Sequence, residues 1–313
     1  MKKRAVSLLL TTLAVVSFVL PALAAAPPEL EVEPVEGFIQ EERVEVEEAP
    51  AIRLDGEPMQ SVEYEILNGV CYVTVSSFVS MLDPEAMVEE ENGIVTVNAS
   101  TVVEVVDVAE GMEPAANVVE ETLNMTAAVG AYCIVANDRY LYAEDGLVLL
   151  NGSVAAPVRV LAKAFNLTVD FDSVEQAVLL GHQEGAGAYL IPGAYYYDSD
   201  TLYWLSRIIN AESGNQPLVG QLAVGNVVMN RVGNPRFPDT IYEVLFQKNQ
   251  FTPASSGSIN REPNGESIIA AKLVMDGAQV VPTALFFNRV GVPCYASRNR
   301  TYITTIGSHA FYA

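Results

Sequence analysis

The chain has 313 residues, half of them hydrophobic, with 39 acidic against 17 basic side chains and a formal net charge of −22. That is length for two or three domains and enough apolar side chain for a sizeable core. So acidic a chain disfavours nucleic acid and anionic lipid as partners, and three scattered cysteines with two isolated histidines lack the spacing of a zinc site, so no zinc site is expected.

The charge is unevenly spread. Residues 27–195 hold 31 acidic side chains against 5 basic ones, whereas residues 196–313 hold 8 against 9. At the N-terminus, Lys2, Lys3 and Arg4 precede the apolar run AVSLLLTTLAVVSFVL and then PALA, the three parts of a cleaved secretory signal over residues 1–24. The expected location is extracellular or wall-associated, with no membrane attachment after cleavage. An uncleaved anchor is the alternative, but the run is shorter than the ~20 residues a bilayer span needs. Residues 25–50 alternate glutamate with Val and Pro, a composition that cannot bury enough surface to fold, and are expected as an acidic, disordered linker. Cys71, Cys133 and Cys294 are an odd number, so at least one thiol stays free. Three free thiols and a Cys71–Cys133 disulfide are both open.

From Ile52 to about Leu180, short Val-rich runs alternate with turn signals. They contain a repeat at an offset of 83 residues. NGVCYVTVSSFVSML from Asn68 aligns with NGSVAAPVRVLAKAF from Asn151, and EEENGIVTV aligns with DSVEQAVLL, Glu89 falling opposite Asp172. Each copy predicts a strand, a short helix and two further strands, over about 51–100 and 134–181. NGSVAAPVRVLAKAF and VDFDSVEQAVLL resemble the stalk-like domain found at the N-terminus of copper amine oxidases and in secreted bacterial wall proteins. The resemblance implies a spacer or wall-adhesion role and no copper, and the first copy, with Thr74, Val75 and Ser76 in place of Pro-Val-Arg, departs further from it. Residues 182–197, rich in Gly and Tyr, predict a linker. Tyr195, Tyr196 and Tyr197 are either a sugar-stacking platform or packing against the next domain.

The last domain, 198–313, opens with a helix capped at Ser199 or Asp200 and running through TLYWLSRIINAE. At ~100° per residue, Leu205, Ile208 and Ile209 share a face with Glu212, while Ser206, Arg207 and Asn210 lie opposite. A carboxyl on an apolar face near a helix C-terminus resists ionisation, which suits a general acid. A buried ion pair with Arg207 or Arg231 explains the position equally well. A second helix, about Gly220 to Arg231, is apolar nearly all round, with Asn226 and Asn230 on one face, placed either to present amides to a cleft or to make internal hydrogen bonds.

INAESGNQPLVGQLAVGNVVMNRV, PRFPDTIYEVLFQKNQFTP, NGESIIAAKLVMDG, ALFFN and IGSHAFY, in that order, resemble the catalytic domain of the SleB-type cell wall hydrolases, which include spore-cortex-lytic enzymes. The resemblance implies a lysozyme-like, mainly helical α+β domain that cleaves the MurNAc–GlcNAc bond of peptidoglycan as a lytic transglycosylase, with Glu212 as catalytic acid and no cofactor. An N-acetylmuramidase-type hydrolase and an inactive wall-binding protein are the alternatives. Many members continue the motif as Ala-Arg-Gly-Glu-Pro. Here Ser213, Gly214, Asn215, Gln216 and Pro217 follow, so that second carboxylate is missing; Asp239, Glu243, Glu262 and Glu266 are the other acids in reach of consideration. For glycan contacts Gln250, Phe251, Phe287 and Asn288 join Asn226 and Asn230, since sugars take amides and an aromatic face. His309 is expected to make a structural hydrogen bond. The architecture expected is multidomain: mixed α/β-rich stalk repeats followed by a lysozyme-like catalytic domain.

Overall fold

The computed structural model describes residues 52–107 and 115–313; the signal peptide and acidic linker expected over 1–50 lie outside the described residues. The chain runs through β1 (Ile52–Leu54), β2 (Glu57–Pro58), β3 (Tyr64–Leu67), β4 (Val70–Thr74), α1 (Val75–Leu82), β5 (Met87–Glu91) and two long strands, β6 (Ile94–Asp107) and β7 (Ala115–Ala128). It continues through β8 (Cys133–Ala136), β9 (Arg139–Tyr142), β10 (Val148–Leu150), β11 (Ser153–Pro157), α2 (Val158–Ala164), β12 (Leu167–Asp172) and β13 (Ala177–His182).

The Asn-Gly pairs at 68–69 and 151–152 make the same turn. Asn68 and Gly69 have φ of 52° and 79°, and Asn151 and Gly152 have 50° and 91°. Two successive positive φ values give a type I′ turn, whose twist matches that of the flanking strands, so β3–β4 and β10–β11 close as tight hairpins. The hairpins then pair with each other through β4 and β11, in the strand order β10-β11-β4-β3. Val73 lies opposite Ala156, its own counterpart at the 83-residue offset, and Tyr72 and Thr74 lie opposite Pro157 and Ala155. The two copies are therefore related by a local two-fold axis through that pair.

The first hairpin of each copy crosses to the other copy's sheet. β1 pairs in parallel with β13, giving the order β12-β13-β1-β2, while β8 and β9 join β5 and β6 through the intervening β7, giving β5-β6-β7-β8-β9. The gapless alignment needs one correction. Glu91 pairs with Ile94 across the two-residue turn Asn92–Gly93, but Asp172 pairs with Ala177 across a four-residue turn. Asp172 thus corresponds to Glu91 rather than Glu89, because the second turn is longer. α1 and α2 pack over the sheets, burying Phe78 and Leu161 completely. Residues 182–197 are strapped to this core: Tyr189 and Leu190 are buried in it, and Asn166 Nδ2 donates to the carbonyls of Gly187 and Tyr189.

A mainly helical region follows: α3 (Gly193–Tyr196), α4 (Ser199–Ser213), α5 (Leu218–Val232), α6 (Ile241–Phe246), α7 (Thr252–Ser256), α8 (Gly265–Met275), β14 (Phe286–Arg289), α9 (Tyr295–Asn299), β15 (Tyr302–Ile306) and β16 (His309–Tyr312). The N-cap of α4 is Asp198, not Ser199 or Asp200: its carboxylate accepts from Thr201 N at 2.8 Å, the reach an Asp cap needs. α5 is longer at its start than expected, because Pro217 supplies its N-cap. α4, α5 and α8 enclose the core, and the sheet β14-β16-β15 packs its Phe311 against α5 residues Ala223 and Val227.

The two regions meet at Asp276, just past α8. Its side chain, with no exposed surface, accepts from Arg139 Nε at 3.0 Å, from Arg139 Nη2 and from Tyr197 OH, and Lys163 Nζ stands 3.6 Å away. The Arg139 guanidinium lies over the Tyr196 ring at 3.4 Å. Tyr196 and Tyr197 therefore pack, while Tyr195 is exposed. Cys133, Tyr140 and Tyr142 press against the helical core, and all three cysteines are free thiols. No helix among the described residues is long and apolar enough to cross a membrane.

Candidate active site

Glu212 lies in the last turn of α4. Leu205, Ile208 and Ile209 on its face are fully buried, as the helical phase predicts. Ser206 and Arg207 on the opposite flank are buried too. Ser206 and Arg207 are covered because Arg207 stacks on Tyr203 at 3.7 Å and donates to Glu262 Oε1 at 2.6 Å.

Neither arginine proposed as an ion-pair partner reaches Glu212. Arg207 is taken by Glu262, and Arg231 donates from Nε to the Leu285 carbonyl at 2.7 Å beneath the rings of Phe237, Phe251 and Phe286. Among the described residues no hydrogen bond or salt bridge holds the Glu212 carboxyl. Burial alone pushes its pKa up from 4.5 to about 7. A carboxyl in that state is protonated in part at neutral pH and can give up its proton and take one back.

The backbone beyond Glu212 is fixed tightly. Asn210 Oδ1 accepts from Asn264 N at 3.2 Å, Asn264 Nδ2 donates to the Gly214 carbonyl at 3.1 Å, and Asn264 Oδ1 caps α8 through Ser267 N at 2.7 Å. A Cβ on Gly214 would come within 2.6 Å of the Asn210 carbonyl oxygen, so the turn requires glycine. Gln216 accepts from Ser308 N at 3.0 Å and so pins the β15–β16 turn beside the start of α5. Fully buried Gln221 joins these elements, donating to the Gln216 carbonyl and accepting from Ser267 Oγ. The segment that lacks the second carboxylate is a structural clamp.

The expected glycan contacts divide. Asn226 is completely buried and makes three hydrogen bonds, to the Ala278 carbonyl and from Val280 N and Val281 N, so it braces the loop after α8 and is not a substrate ligand. Asn230 spends its amide nitrogen on the carbonyls of Val281 and Ala284, and Asn288 spends its own on Val292. Phe251 is a core side chain, 4% exposed, because it roofs Arg231. Phe287 is half-buried between Phe251, Phe311 and His309, and Gln250 is exposed. His309 Nδ1 is buried without a partner, so the structural hydrogen bond expected there is absent; burial lowers its pKa. Asp239 and Glu266 are exposed, and Glu243 closes a cap with Thr240. Among the described residues no group of three or more His, Cys, Asp or Glu side chains could hold a metal.

Sequence reasoning missed Asn264, although Asn-Gly-Glu-Ser ahead of an apolar run is a helix-start signal. It also missed an aromatic cluster at the other end of α4, where Trp204 meets Tyr203, Tyr242 and Phe246 at 4.9–5.4 Å and Tyr242 stacks on Phe246 at 4.4 Å. The three partners of Trp204 are each at least 39% exposed, uncommon for adjacent large aromatics.

Residues 215–312 match the family model described as Cell Wall Hydrolase. The C-terminal region is thus related to the cell wall hydrolases, with Glu212 lying just ahead of the matched range. The spore cortex-lytic enzyme of Oceanobacillus iheyensis is 30% identical over 116 residues, 37% of this chain and 42% of that protein. The spore cortex-lytic enzyme of Bacillus subtilis is 28% identical over 130 residues, 41% of this chain and 42% of that protein. The chain spans less than half the length of these curated relatives. Among solved structures, the catalytic domain of the germination-specific lytic transglycosylase SleB from Bacillus anthracis is 27% identical, covering 39% of this chain and all of that one with a TM-score of 0.36.

The burial of Asn226 has a checkable consequence. Asn226→Ala strands two N–H groups and a carbonyl, so urea unfolding should show a loss of about 2–4 kcal/mol, while KM for a glycan substrate stays unchanged in the fraction that folds.

Proposed function

We propose that this protein cleaves the MurNAc–GlcNAc bond of peptidoglycan glycan strands, outside the cell, as a lytic transglycosylase. The observation that carries this reading is Glu212: a half-buried carboxyl with no cation or hydrogen-bond donor on it among the described residues, its pKa raised to about 7, just ahead of a stretch related to cell wall hydrolases. Glu212 protonates the glycosidic oxygen as the C1–O bond breaks. As carboxylate it then takes the proton of the muramic C6 hydroxyl, whose oxygen bonds to C1 and closes a 1,6-anhydro ring. No water enters.

One carboxylate suffices for this route, whereas hydrolysis by two requires a second at roughly 5–9.5 Å as nucleophile or base. Gln216 in place of the familiar glutamate supports the one-carboxylate route. For sugar stacking, Trp204, Tyr242 and Phe246 replace Phe251. Trp204 and Glu212 are eight positions apart on α4, about 12 Å along the axis, a span of two to three sugar rings. The paired N-terminal copies serve as spacer and wall-adhesion unit.

Digestion of purified peptidoglycan by the full chain, with products read by mass spectrometry, tests the proposal. Muropeptides ending in 1,6-anhydro-muramic acid are expected. Reducing ends would assign hydrolysis instead, and no release at all would leave a wall-binding protein.

A further inference from the structure

The local two-fold of the N-terminal region relates two grooves that are filled differently. In the first copy, Glu90 on β5 reaches across and its carboxylate accepts from Val154 N at 2.6 Å and from Ser76 Oγ at 3.0 Å. At the 83-residue offset, Val154 corresponds to Cys71 and Ser76 to Arg159. By the hairpin registers, Glu90 corresponds to Phe171.

The second copy therefore keeps the donors and has lost the acceptor. Thr74 N donates to the Glu63 carbonyl, which fixes the phase of the β3–β4 ladder and turns the Cys71 N–H away from β3 towards the start of α2. Arg159 holds the Val169 carbonyl at 3.2 Å through one nitrogen, leaving the rest of its fork to the groove. Where Glu90 would stand, Phe171 is 44% exposed, and a groove of about 980 Å³ lies open between the edge strands β3 and β12. Glu65, Asp170 and Glu175 are on its walls, Glu175 paired with Arg53 at 2.9 Å.

The geometry points to a carboxylate-binding groove whose ligand is an acidic peptide segment, the glutamate-rich stretch EERVEVEEAP at 41–50 of this same chain. Arg159 and the Cys71 N–H receive one of its glutamates as Ser76 and the Val154 N–H receive Glu90. The stretch leads directly into β1, whose Ile52 pairs with Val178 on the groove wall. That connection gives its carboxylates a high effective concentration at the groove, enough to act against the acidic walls.

The full chain, treated with a glutamate-specific protease, tests this, with a synthetic peptide of residues 37–51 as the unprotected reference. Cleavage after Glu41, Glu42, Glu45, Glu47 and Glu48 is expected to be at least about tenfold slower in the chain than in the peptide. Phe171→Glu, which recreates the first copy's internal carboxylate, and Arg159→Gln should each restore the peptide rate. Phe171→Ala, which opens the groove without filling it, should keep the protection. Both positions are solvent-facing, and an unchanged melting temperature checks each variant's fold. Cleavage of the wild-type chain at the peptide rate overturns the inference. So does protection that survives both Phe171→Glu and Arg159→Gln, or protection that Phe171→Ala removes.

Discussion

Glu212→Gln is expected to abolish glycan cleavage and at the same time to raise the melting temperature. Loss of a positioned acid costs roughly 10²–10⁴ in rate, and the amide keeps the shape of the side chain. The stability gain follows from the direction of the pKa shift. In the unfolded chain the carboxyl ionises at its ordinary value of 4.5, in the fold at about 7. Below pH 4.5 both states hold the proton and burial adds no ionisation cost. Between pH 4.5 and 7 the unfolded state alone releases it, so stability falls, and above pH 7 the full penalty stands, of order 3 kcal/mol. Gln removes that penalty, so the variant should gain stability at pH 8 and almost none at pH 4. The same shift sets a rate profile: kcat/KM for the wild type should fall about tenfold per pH unit above pH 7 as the acid form is lost. Equal melting temperatures for the two proteins at pH 8, or activity that climbs through pH 9, would contradict the assignment.

Asp276→Ala should be the most destabilising single substitution at the joint between the two regions. It removes the acceptor for Arg139 and Tyr197 and leaves a guanidinium, 6% exposed, without a counter-charge. Stranding one partner of a buried ion pair costs roughly 3–5 kcal/mol, a large share of the 5–15 kcal/mol a domain commands. Urea unfolding should then pass from one transition to two, as the helical region separates from the β-rich one. Asp276→Ala combined with Arg139→Met, which withdraws the orphaned charge, should recover at least half of the loss. A double variant no better than the single would show that Arg139 is not what the aspartate serves.

Much of the fold is legible in the chain because its rules are local. Asn68–Gly69 and Asn151–Gly152, each between strand-like runs, announce type I′ turns, and the 83-residue echo around them marks two like units. The spacing of Leu205, Ile208, Ile209 and Glu212 likewise gives the phase of α4 without any tertiary information. What periodicity does not carry is which side chain answers which. Asn226 has the residue type and the helical face of a sugar ligand, and only the fold shows its amide consumed by a loop more than fifty residues away. Arg207 reads as a candidate ion-pair partner for Glu212 until Tyr203 and Glu262 are found to take it. Phe251 reads as a stacking surface until Arg231 is found beneath it. Asp276 gave no local signal at all, since its partners come from the preceding region. The Glu89–Asp172 pairing was displaced by a turn two residues longer, which a gapless comparison cannot register.

The crossing of β1 into the sheet of β12 and β13 has a consequence for how the chain reaches its native state. Ile52 finds its neighbour, Val178, only after nearly the whole β-rich region has been made. Contacts of such sequence separation form late and slowly, because the intervening loop must be closed before any of them is rewarded. Neither copy can complete a sheet from its own residues, so a nascent chain has no stable halfway form. That delay leaves the β-rich region without its long-range sheet pairing until both copies have been made.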